Sequence, residues 1–235
     1  MEAIILAGGK AERLGAATGG RPKALVPVRD RPLAAYQVAL LVSYGVSRVI
    51  VSCSAGTEEE FVSVLGGLGA EIVPAAEPEP LGRGGGLRHA AAARQEPGDV
   101  LALNGDELVD LDLGAMLERH RERGAAATIA VAPLRSPFGV VELGEDDVVT
   151  GFQEAPELPH WVSCGVYVLG EEAIEHLPER GDHEDTTFPE LARAGRVWAF
   201  RHTGLWITVN TPKDLRRAEE LLGSEAALTL VGRLG

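Results

Sequence analysis

Short apolar runs alternate with helix-like stretches through the first half of the chain, and this alternation limits the fold more than any other feature. The runs EAIILA, SRVIVSC and DVLALN are continuously apolar, as is typical of strands buried on both faces. The stretches between them have helical spacing. Because strand–helix–strand order requires crossover connections, the pattern predicts a mainly parallel sheet with helices on both faces.

The pattern changes in the second half, where strands follow one another closely as AATIAVAPL, FGVVELG, DVVTGFQEA and HWVSCGVYVLG. This change predicts a mixed or antiparallel extension of the sheet. We expect one three-layer α/β/α domain over residues 1–235, with halves at about 1–110 and 111–222 and a tail at 223–235. The stretch PAAEPEPLGRGGG is expected to form a loop, and the three tryptophans are expected in the core or a pocket wall.

Charge and hydropathy exclude several classes of protein. With 35 acidic and 22 basic residues the net charge is -13, which argues against nucleic acid or an anionic membrane as the main partner. No apolar run approaches the roughly 20 residues of a membrane helix, and Glu2 stands where a signal peptide is basic. These features favour a cytoplasmic protein. Cys53 and Cys164 fit no metal or redox spacing, so free buried thiols are expected.

A glycine-rich loop, LAGGKAERLGAATGGRPKALVPV, follows the first strand at residues 6–28. Gly8 and Gly9 allow backbone N–H groups to approach a phosphate closely. The chain has three lysines and two of them are here, so positive charge is concentrated against an acidic background. We infer a nucleoside triphosphate site rather than a solvated loop, although neither G-x-G-x-x-G nor the Walker pattern is present. The four bases of the loop are Lys10, Arg13, Arg21 and Lys23.

Asp106 ends an apolar strand in the segment LALNGDELVD. A carboxylate at a strand end suits Mg²⁺, which prefers oxygen ligands. A helix cap or turn residue is the alternative. The glycine-rich loop expected beside this strand end favours the metal-ligand role for Asp106.

These segments together resemble the sugar-phosphate nucleotidyltransferase family, of the short single-domain type. The glycine loop is similar to L-A-G-G-x-G-x-R-L followed by P-K-x-L, with Ala11 where the family often has a third glycine. PLGRGGGLRHA is similar to P-L-G-T-A-G-A-L, FGVVEL to Y-G-V-V, and FQEAP to F-x-E-K-P. VSCGVYVL and LWITVNTPKDLRRAEELL complete a resemblance that covers nearly the whole chain.

The resemblance implies a Rossmann-like nucleotide-diphospho-sugar transferase fold of the GT-A-like type. It also implies a reaction in which a nucleoside triphosphate and a sugar 1-phosphate give an NDP-sugar and pyrophosphate, with Mg²⁺ as cofactor. The first half of the chain would bind the nucleotide and the second half the acceptor. The hexapeptide β-helix of longer relatives is absent from this sequence, so no acyltransferase or allosteric tail is expected.

Residue roles follow from the same resemblance. Arg13 would stabilise the departing pyrophosphate, Lys23 the charge at the α-phosphate, and Asp106 the metal; these three are the expected catalytic residues. Gly139, Glu154 and Ser163 would contact the acceptor. The expected nucleotide-binding residues are Leu6, Ala7, Gly8, Gly9, Lys10, Arg13, Lys23, Gly82, Gly85 and Asp106.

The second metal ligand is inferred less directly. Many members place aspartate two residues after the late tryptophan, where this chain has Thr208. Asn210 is the expected ligand by resemblance to a V-N element in hexosamine-phosphate members. Its alternative role is the N-cap of the final helix, for which Thr211 competes.

Ala155 replaces the lysine of E-K-P that often holds the acceptor phosphate, so Arg83 or Arg201 could do this work instead. Two alternatives therefore stay open: a nucleotidyltransferase for a non-sugar acceptor (cyclitol phosphate, phosphocholine, phosphonate or molybdopterin), or a non-catalytic nucleotide-sugar-binding regulatory homologue. Guanine, uracil and thymine all remain as bases, with guanine preferred by general resemblance to short mannose- and heptose-type members. A homo-oligomer is neither required nor excluded.

Overall fold

A seven-stranded sheet forms the centre of the computed structural model, which describes residues 1–9, 14 and 18–223. The strands of the chain are β1 (Glu2–Leu6), β2 (Pro27–Val28), β3 (Arg31–Pro32), β4 (Arg48–Ser54), β5 (Glu71–Glu77), β6 (Val100–Asn104), β7 (Glu107–Val109), β8 (Ala127–Arg135), β9 (Val140–Leu143), β10 (Val149–Gln153), β11 (Glu157–Leu169), β12 (Val197–Arg201) and β13 (Trp206–Thr208). The helices are α1 (Leu33–Ser43), α2 (Glu58–Leu65), α3 (Gly82–Ala91), α4 (Leu113–Arg123), α5 (Glu171–Glu175), α6 (Thr187–Arg193) and α7 (Pro212–Leu222).

The strand order of the main sheet is β12-β8-β11-β6-β1-β4-β5. Strands β5, β4, β1 and β6 are parallel, while β11 runs antiparallel between β6 and β8. Strand β12 pairs parallel with β8. The expected mainly parallel sheet with a mixed extension is confirmed, and the extension joins the parallel part through β11.

Apolar side chains cover both faces of the sheet because its central strands are buried on both sides. One face packs under α1, α2 and α4, with Phe61 and Met116 fully buried. The other face packs under α3, α5 and α6, with Leu87 and Tyr167 buried. Helix α7 packs on a smaller cluster that includes Leu14 and Val28. The result is the expected α/β/α layering.

The glycine-rich stretch before α3 is more ordered than the sequence predicts. Strand β5 continues to Glu77 and α3 begins at Gly82, so the expected loop over residues 74–86 is shorter. Glycines are poor helix formers, but here they allow the start of α3 to approach the 178–183 segment closely. The N–H of Gly84 donates to the carbonyl of Gly181 at 2.9 Å, and a Cβ on Gly84 would lie 2.7 Å from the backbone nitrogen of His183. Tertiary packing therefore decides this helix start.

Replacing Gly84 with alanine tests this packing. In an unconstrained helix the change raises stability by about 0.5–1 kcal/mol. Here it is expected to lower the free energy of unfolding by about 1–3 kcal/mol, because the new methyl group overpacks against the 178–183 segment. Urea unfolding of the two proteins measures the difference. A higher midpoint for Gly84→Ala would contradict the packing role.

The second half of the chain contributes β8, β11 and β12 to the main sheet and one hairpin outside it. Strands β9 and β10 form a separate two-stranded hairpin, which is largely exposed.

Cys53 and Cys164 are buried and free, as expected. Trp161 and Trp198 are more exposed than expected, at 45% and 38%, and each lies beside an arginine rather than in the core. No helix in the described ranges has the length and apolar character needed to span a membrane.

Candidate active site

A cleft of about 520 Å³ opens at the carboxyl ends of the parallel strands β1, β6 and β5. Ligands bind at this edge in open α/β sheets because the connecting loops leave a crevice there. The cleft is lined by Leu6, Ala7, Gly8, Gly9, Lys23, Ala24, Glu77, Pro80, Gly82, Arg83, Asn104, Gly105, Asp106, Glu107, Asp182, Thr208 and Asn210.

The floor of the cleft is backbone from β1 and β6. The N–H of Gly105 donates to the carbonyl of Leu6 at 2.8 Å, and a Cβ on Gly105 would lie 2.6 Å from that oxygen. Glycine in the N-G-D segment is therefore required by the close approach of two strand ends. This contact fixes the position of Asp106, the next residue.

Lys23 lies at the centre of the polar part of the cleft. It begins a short 3-10 helix, Lys23–Leu25, whose Ala24 and Leu25 are buried and hold the segment in place. The Lys23 ammonium Nζ donates to Asp106 Oδ2 at 2.5 Å and to Asn210 Oδ1 at 2.6 Å. The structure thus brings together three residues that the sequence separates widely.

A two-stranded ladder brings Asp106 and Asn210 to the same place. Strands β7 and β13 pair antiparallel with Thr208 opposite Glu107, and the N–H of Val209 donates to the carbonyl of Asp106 at 2.9 Å. The cap of α7 is Thr211, which forms a capping box with Asp214. The side chain of Asn210 therefore does not cap the helix.

The donors present fit a hard divalent cation. Asp106 and Asn210 direct a carboxylate oxygen and an amide oxygen at one point, which the Lys23 ammonium contacts in this structure. Oxygen ligands of this kind suit Mg²⁺, which usually keeps several waters and takes further ligands from substrate phosphates. Within the described ranges, no three His, Cys, Asp or Glu side chains form a metal site of their own.

Glu107 is a cleft residue that the sequence reasoning missed. It is 5% exposed, and its Oε2 accepts hydrogen bonds from Trp206 Nε1 at 2.8 Å and from Thr208 Oγ1 at 2.7 Å. Burial, and then repulsion from Asp106, raises the pKa of Glu107 to about 8. The sequence signal that could have identified Glu107 is its position directly after the N-G-D segment. Glu107 ties β13 to β7 and so supports the position of Asn210.

Glu77 was also missed, and it lines the cleft at the end of β5. Its Oε1 accepts from Ser52 Oγ at 2.7 Å, and its Oε2 accepts from the N–H of Leu81 at 3.0 Å. A Cβ on Gly8 would lie 2.9 Å from Oε1, so the first loop glycine leaves room for this carboxylate. The sequence signal that could have identified Glu77 is a polar residue at the end of an apolar run, as for Asp106.

The expected nucleotide-binding residues are partly placed. Leu6, Ala7, Gly8, Gly9 and Gly82 line the cleft. Gly85 instead lies under the 178–183 segment, where a Cβ would be 2.7 Å from the Glu179 carbonyl oxygen. Lys10 and Arg13 lie outside the described residues, and their roles stay predictions.

The three expected acceptor residues do not line this cleft. A Cβ on Gly139 would be 3.1 Å from Glu154 Oε2, so these two are neighbours at the β9–β10 hairpin. Ser163 is exposed on β11, and its hydroxyl donates to the Tyr167 hydroxyl at 3.4 Å. Burial raises the pKa of Tyr167 to about 12, which hydrogen bonds from Ser163 and Asn104 partly offset.

Comparison with known proteins places this geometry in a family. The chain is 30% identical over 221 residues to the mannose-1-phosphate guanylyltransferase catalytic subunit beta of Drosophila pseudoobscura pseudoobscura, covering 90% of this chain and 60% of that protein. It is 30% identical over 228 residues to a mannose-1-phosphate guanylyltransferase of Mycobacterium tuberculosis, covering 92% and 63%. The chain thus spans somewhat under two thirds of the length of these curated relatives.

A solved structure and a family model also match this chain. The crystal structure of HddC from Yersinia pseudotuberculosis superposes with a TM-score of 0.73 at 24% identity, covering 93% of this chain and 98% of that one, which supports the fold. A family model described as nucleotidyl transferase matches residues 2–225. The expected resemblance to sugar-phosphate nucleotidyltransferases is confirmed. The chain therefore belongs to the nucleotidyl transferase family.

Proposed function

We propose that this chain transfers a nucleoside monophosphate from a nucleoside triphosphate to a sugar 1-phosphate and releases pyrophosphate. The observation that carries the proposal is the Lys23 ammonium held between Asp106 and Asn210 beside a glycine-lined cleft. An acceptor phosphate oxygen would attack the α-phosphorus in line, while the bond to the pyrophosphate oxygen breaks. Such a reaction needs positioning and charge neutralisation rather than a strong base.

Each residue would have one task. Lys23 would neutralise charge at the α-phosphate, and Arg13 would stabilise the departing pyrophosphate. Asp106 and Asn210 would hold Mg²⁺. The bound ion would supply Lewis-acid neutralisation of phosphate charge. The backbone of Leu6 to Gly9 would frame the nucleoside.

Guanine is the base that the cleft supports best. Glu77 ends strand β5 and Asp106 follows strand β6. These strands are three spacings apart, or roughly 14 Å, so Glu77 would lie far from the triphosphate. Guanine presents N1–H and an amino group side by side, and a carboxylate with free lone pairs accepts from both. In uracil and thymine, carbonyl oxygens flank the single N3–H and would repel the second carboxylate oxygen.

The Glu77→Gln variant tests base selection. An amide can pair with N3–H and one carbonyl of a pyrimidine, and Ser52 and Leu81 can still contact it. The ratio of kcat/KM for GTP over UTP is expected to fall at least about 10-fold, from loss of a charge-assisted hydrogen bond. Asp182→Asn removes another cleft-lining carboxylate and is expected to leave the ratio unchanged. An unaltered ratio in Glu77→Gln would contradict the role of Glu77.

Pyrophosphate release tests the function itself. Five nucleoside triphosphates would be crossed with hexose, heptose, hexosamine and cyclitol 1-phosphates in the presence of Mg²⁺. GTP with a sugar 1-phosphate is the expected productive pair. Turnover only with a non-sugar acceptor would favour the first alternative, and nucleotide binding without pyrophosphate release would favour a regulatory homologue.

A further inference from the structure

Helix α1 carries one amide side chain in an otherwise largely apolar sequence. Its residues from Leu33 to Leu41 are all buried, and Gln37 among them is 2% exposed. A buried amide lowers stability unless its polar atoms are hydrogen bonded. The Oε1 atom of Gln37 has no hydrogen-bond partner in the described part of the chain. Packing alone therefore does not explain an amide at this position.

The NH₂ group of this amide contacts both ends of one turn of the cleft. Gln37 Nε2 donates to the carbonyl of Asn104 at 2.7 Å and to the carbonyl of Glu107 at 2.8 Å. Asn104 ends β6 and Glu107 begins β7, and only Gly105 and Asp106 lie between them. An amide NH₂ is planar and has two donors, so it can hold two acceptors at a fixed separation. Gln37 thus closes this turn from the side of the core.

The other backbone contacts of the turn do not join its two ends. The N–H of Gly105 donates to a carbonyl of β1 at 2.8 Å, and the carbonyl of Asp106 accepts from the N–H of Val209 at 2.9 Å. Strand β7 pairs with β13 and not with β6, so no strand ladder spans the turn. Among the described residues, Gln37 is the side chain that bonds to both ends.

The turn is important because it carries Asp106. Asp106 Oδ2 accepts from Lys23 Nζ at 2.5 Å, and Glu107 accepts from Thr208 of β13 at 2.7 Å. A rotation of the turn would displace the Asp106 carboxylate and, through β13, also Asn210. Groups that bind a metal need positions held within about 0.5 Å, and the hydrogen bonds behind them supply this precision.

We propose that Gln37 is a positioning residue, which holds the turn between β6 and β7 so that Asp106 points at the metal position beside Lys23. The inference rests on the proposed function and adds a residue that acts on the site from the core. Without the amide, two carbonyls would lack partners, and the turn would rotate to find other donors.

Gln37→Met tests the proposal, because methionine has a similar length but no donor. Electron paramagnetic resonance of Mn²⁺, titrated with protein and GTP, is expected to show about 10-fold weaker binding, as when a hydrogen bond that orients a metal ligand is lost. The kcat is expected to fall about 10- to 100-fold, the effect of a displacement of about 1 Å, while the KM for the sugar 1-phosphate stays within about threefold. Gln37→Asn, whose shorter amide reaches at most one carbonyl, should give intermediate losses. It also provides the test if Gln37→Met does not fold.

Tyr36→Phe is the matched control. Tyr36 precedes Gln37 on α1, and its buried hydroxyl donates to the carbonyl of Val28 at 3.0 Å, away from the residues that line the cleft. Removal of this hydrogen bond is expected to lower the urea midpoint but to leave the Mn²⁺ affinity and kcat within about twofold. A loss of Mn²⁺ affinity equal to that of Gln37→Met would show that any weakening of α1 disturbs the site, and would overturn the specific role of Gln37.

A double-mutant cycle with Asp106→Asn shows whether Gln37 acts through Asp106. If it does, Gln37→Met causes a much smaller further loss of Mn²⁺ affinity once the carboxylate is absent. Losses that simply multiply would overturn the inference. A lower urea midpoint with unchanged Mn²⁺ affinity would also overturn it, because Gln37 would then only stabilise the fold.

Pyrophosphate release by the natural chain separates the two proposals. If none is released, the proposed function fails, whereas the Mn²⁺ titrations still test Gln37. Release with the same Mn²⁺ affinity and kcat in Gln37→Met would leave the function intact and reject the role of Gln37. A natural chain that binds no Mn²⁺ would overturn the inference as well.

Discussion

Asp106→Asn is expected to lower kcat by about 10³-fold, because it removes a carboxylate aimed at the proposed metal position and metal neutralisation supplies several kcal/mol. Asparagine has nearly the same shape and keeps an oxygen for Lys23. The backbone contacts of residue 106 are also unaffected, so the urea midpoint is expected to stay unchanged. Rates of pyrophosphate release with GTP and the best acceptor measure the loss.

Metal binding gives a second measurement that does not depend on turnover. Electron paramagnetic resonance of Mn²⁺ titrated with protein and nucleotide is expected to show weaker binding in Asp106→Asn. Asp146→Asn removes the same charge from the exposed β9–β10 turn and serves as the control. A kcat within threefold of the natural chain would reject Asp106 as a metal ligand.

Lys23→Ala is expected to lower kcat by about 10²- to 10³-fold, the range found when one group that stabilises transition-state charge is removed. The KM for the nucleotide is expected to change less, because charge at the α-phosphate develops during the reaction. Lys23→Arg should not restore the rate, because acceptors at 2.5 and 2.6 Å suit a compact ammonium rather than a planar fork.

Separate measurements of kcat and KM are needed to interpret Lys23→Ala. Fluorescence or calorimetric titration with GTP and Mg²⁺ would report nucleotide binding on its own. Lys213→Ala is the matched control, since Lys213 is exposed on α7. Equal losses in binding and in turnover would show that Lys23 holds the nucleotide but does not act on the transition state.

The sequence by itself determined the order of the elements and the class of the fold. Short continuous apolar runs are typical of strands buried on both faces, and the helical stretches between them favour parallel pairing. Lys23 and Asp106 were predictable because each is polar, adjacent to an apolar strand or a glycine loop, and unusual for its surroundings. These signals are local, so a linear reading detects them.

The tertiary structure decided which polar residues share one site and which are used elsewhere. Asn210 could have capped α7, but Thr211 takes that role, and the β7–β13 ladder turns Asn210 to Lys23. Glu77 looks ordinary in sequence. Its proposed role in base selection depends on the strand order, which places the end of β5 three strands from the end of β6, where Asp106 lies. Strand order depends on long-range packing, and no local pattern encodes which strand ends become neighbours.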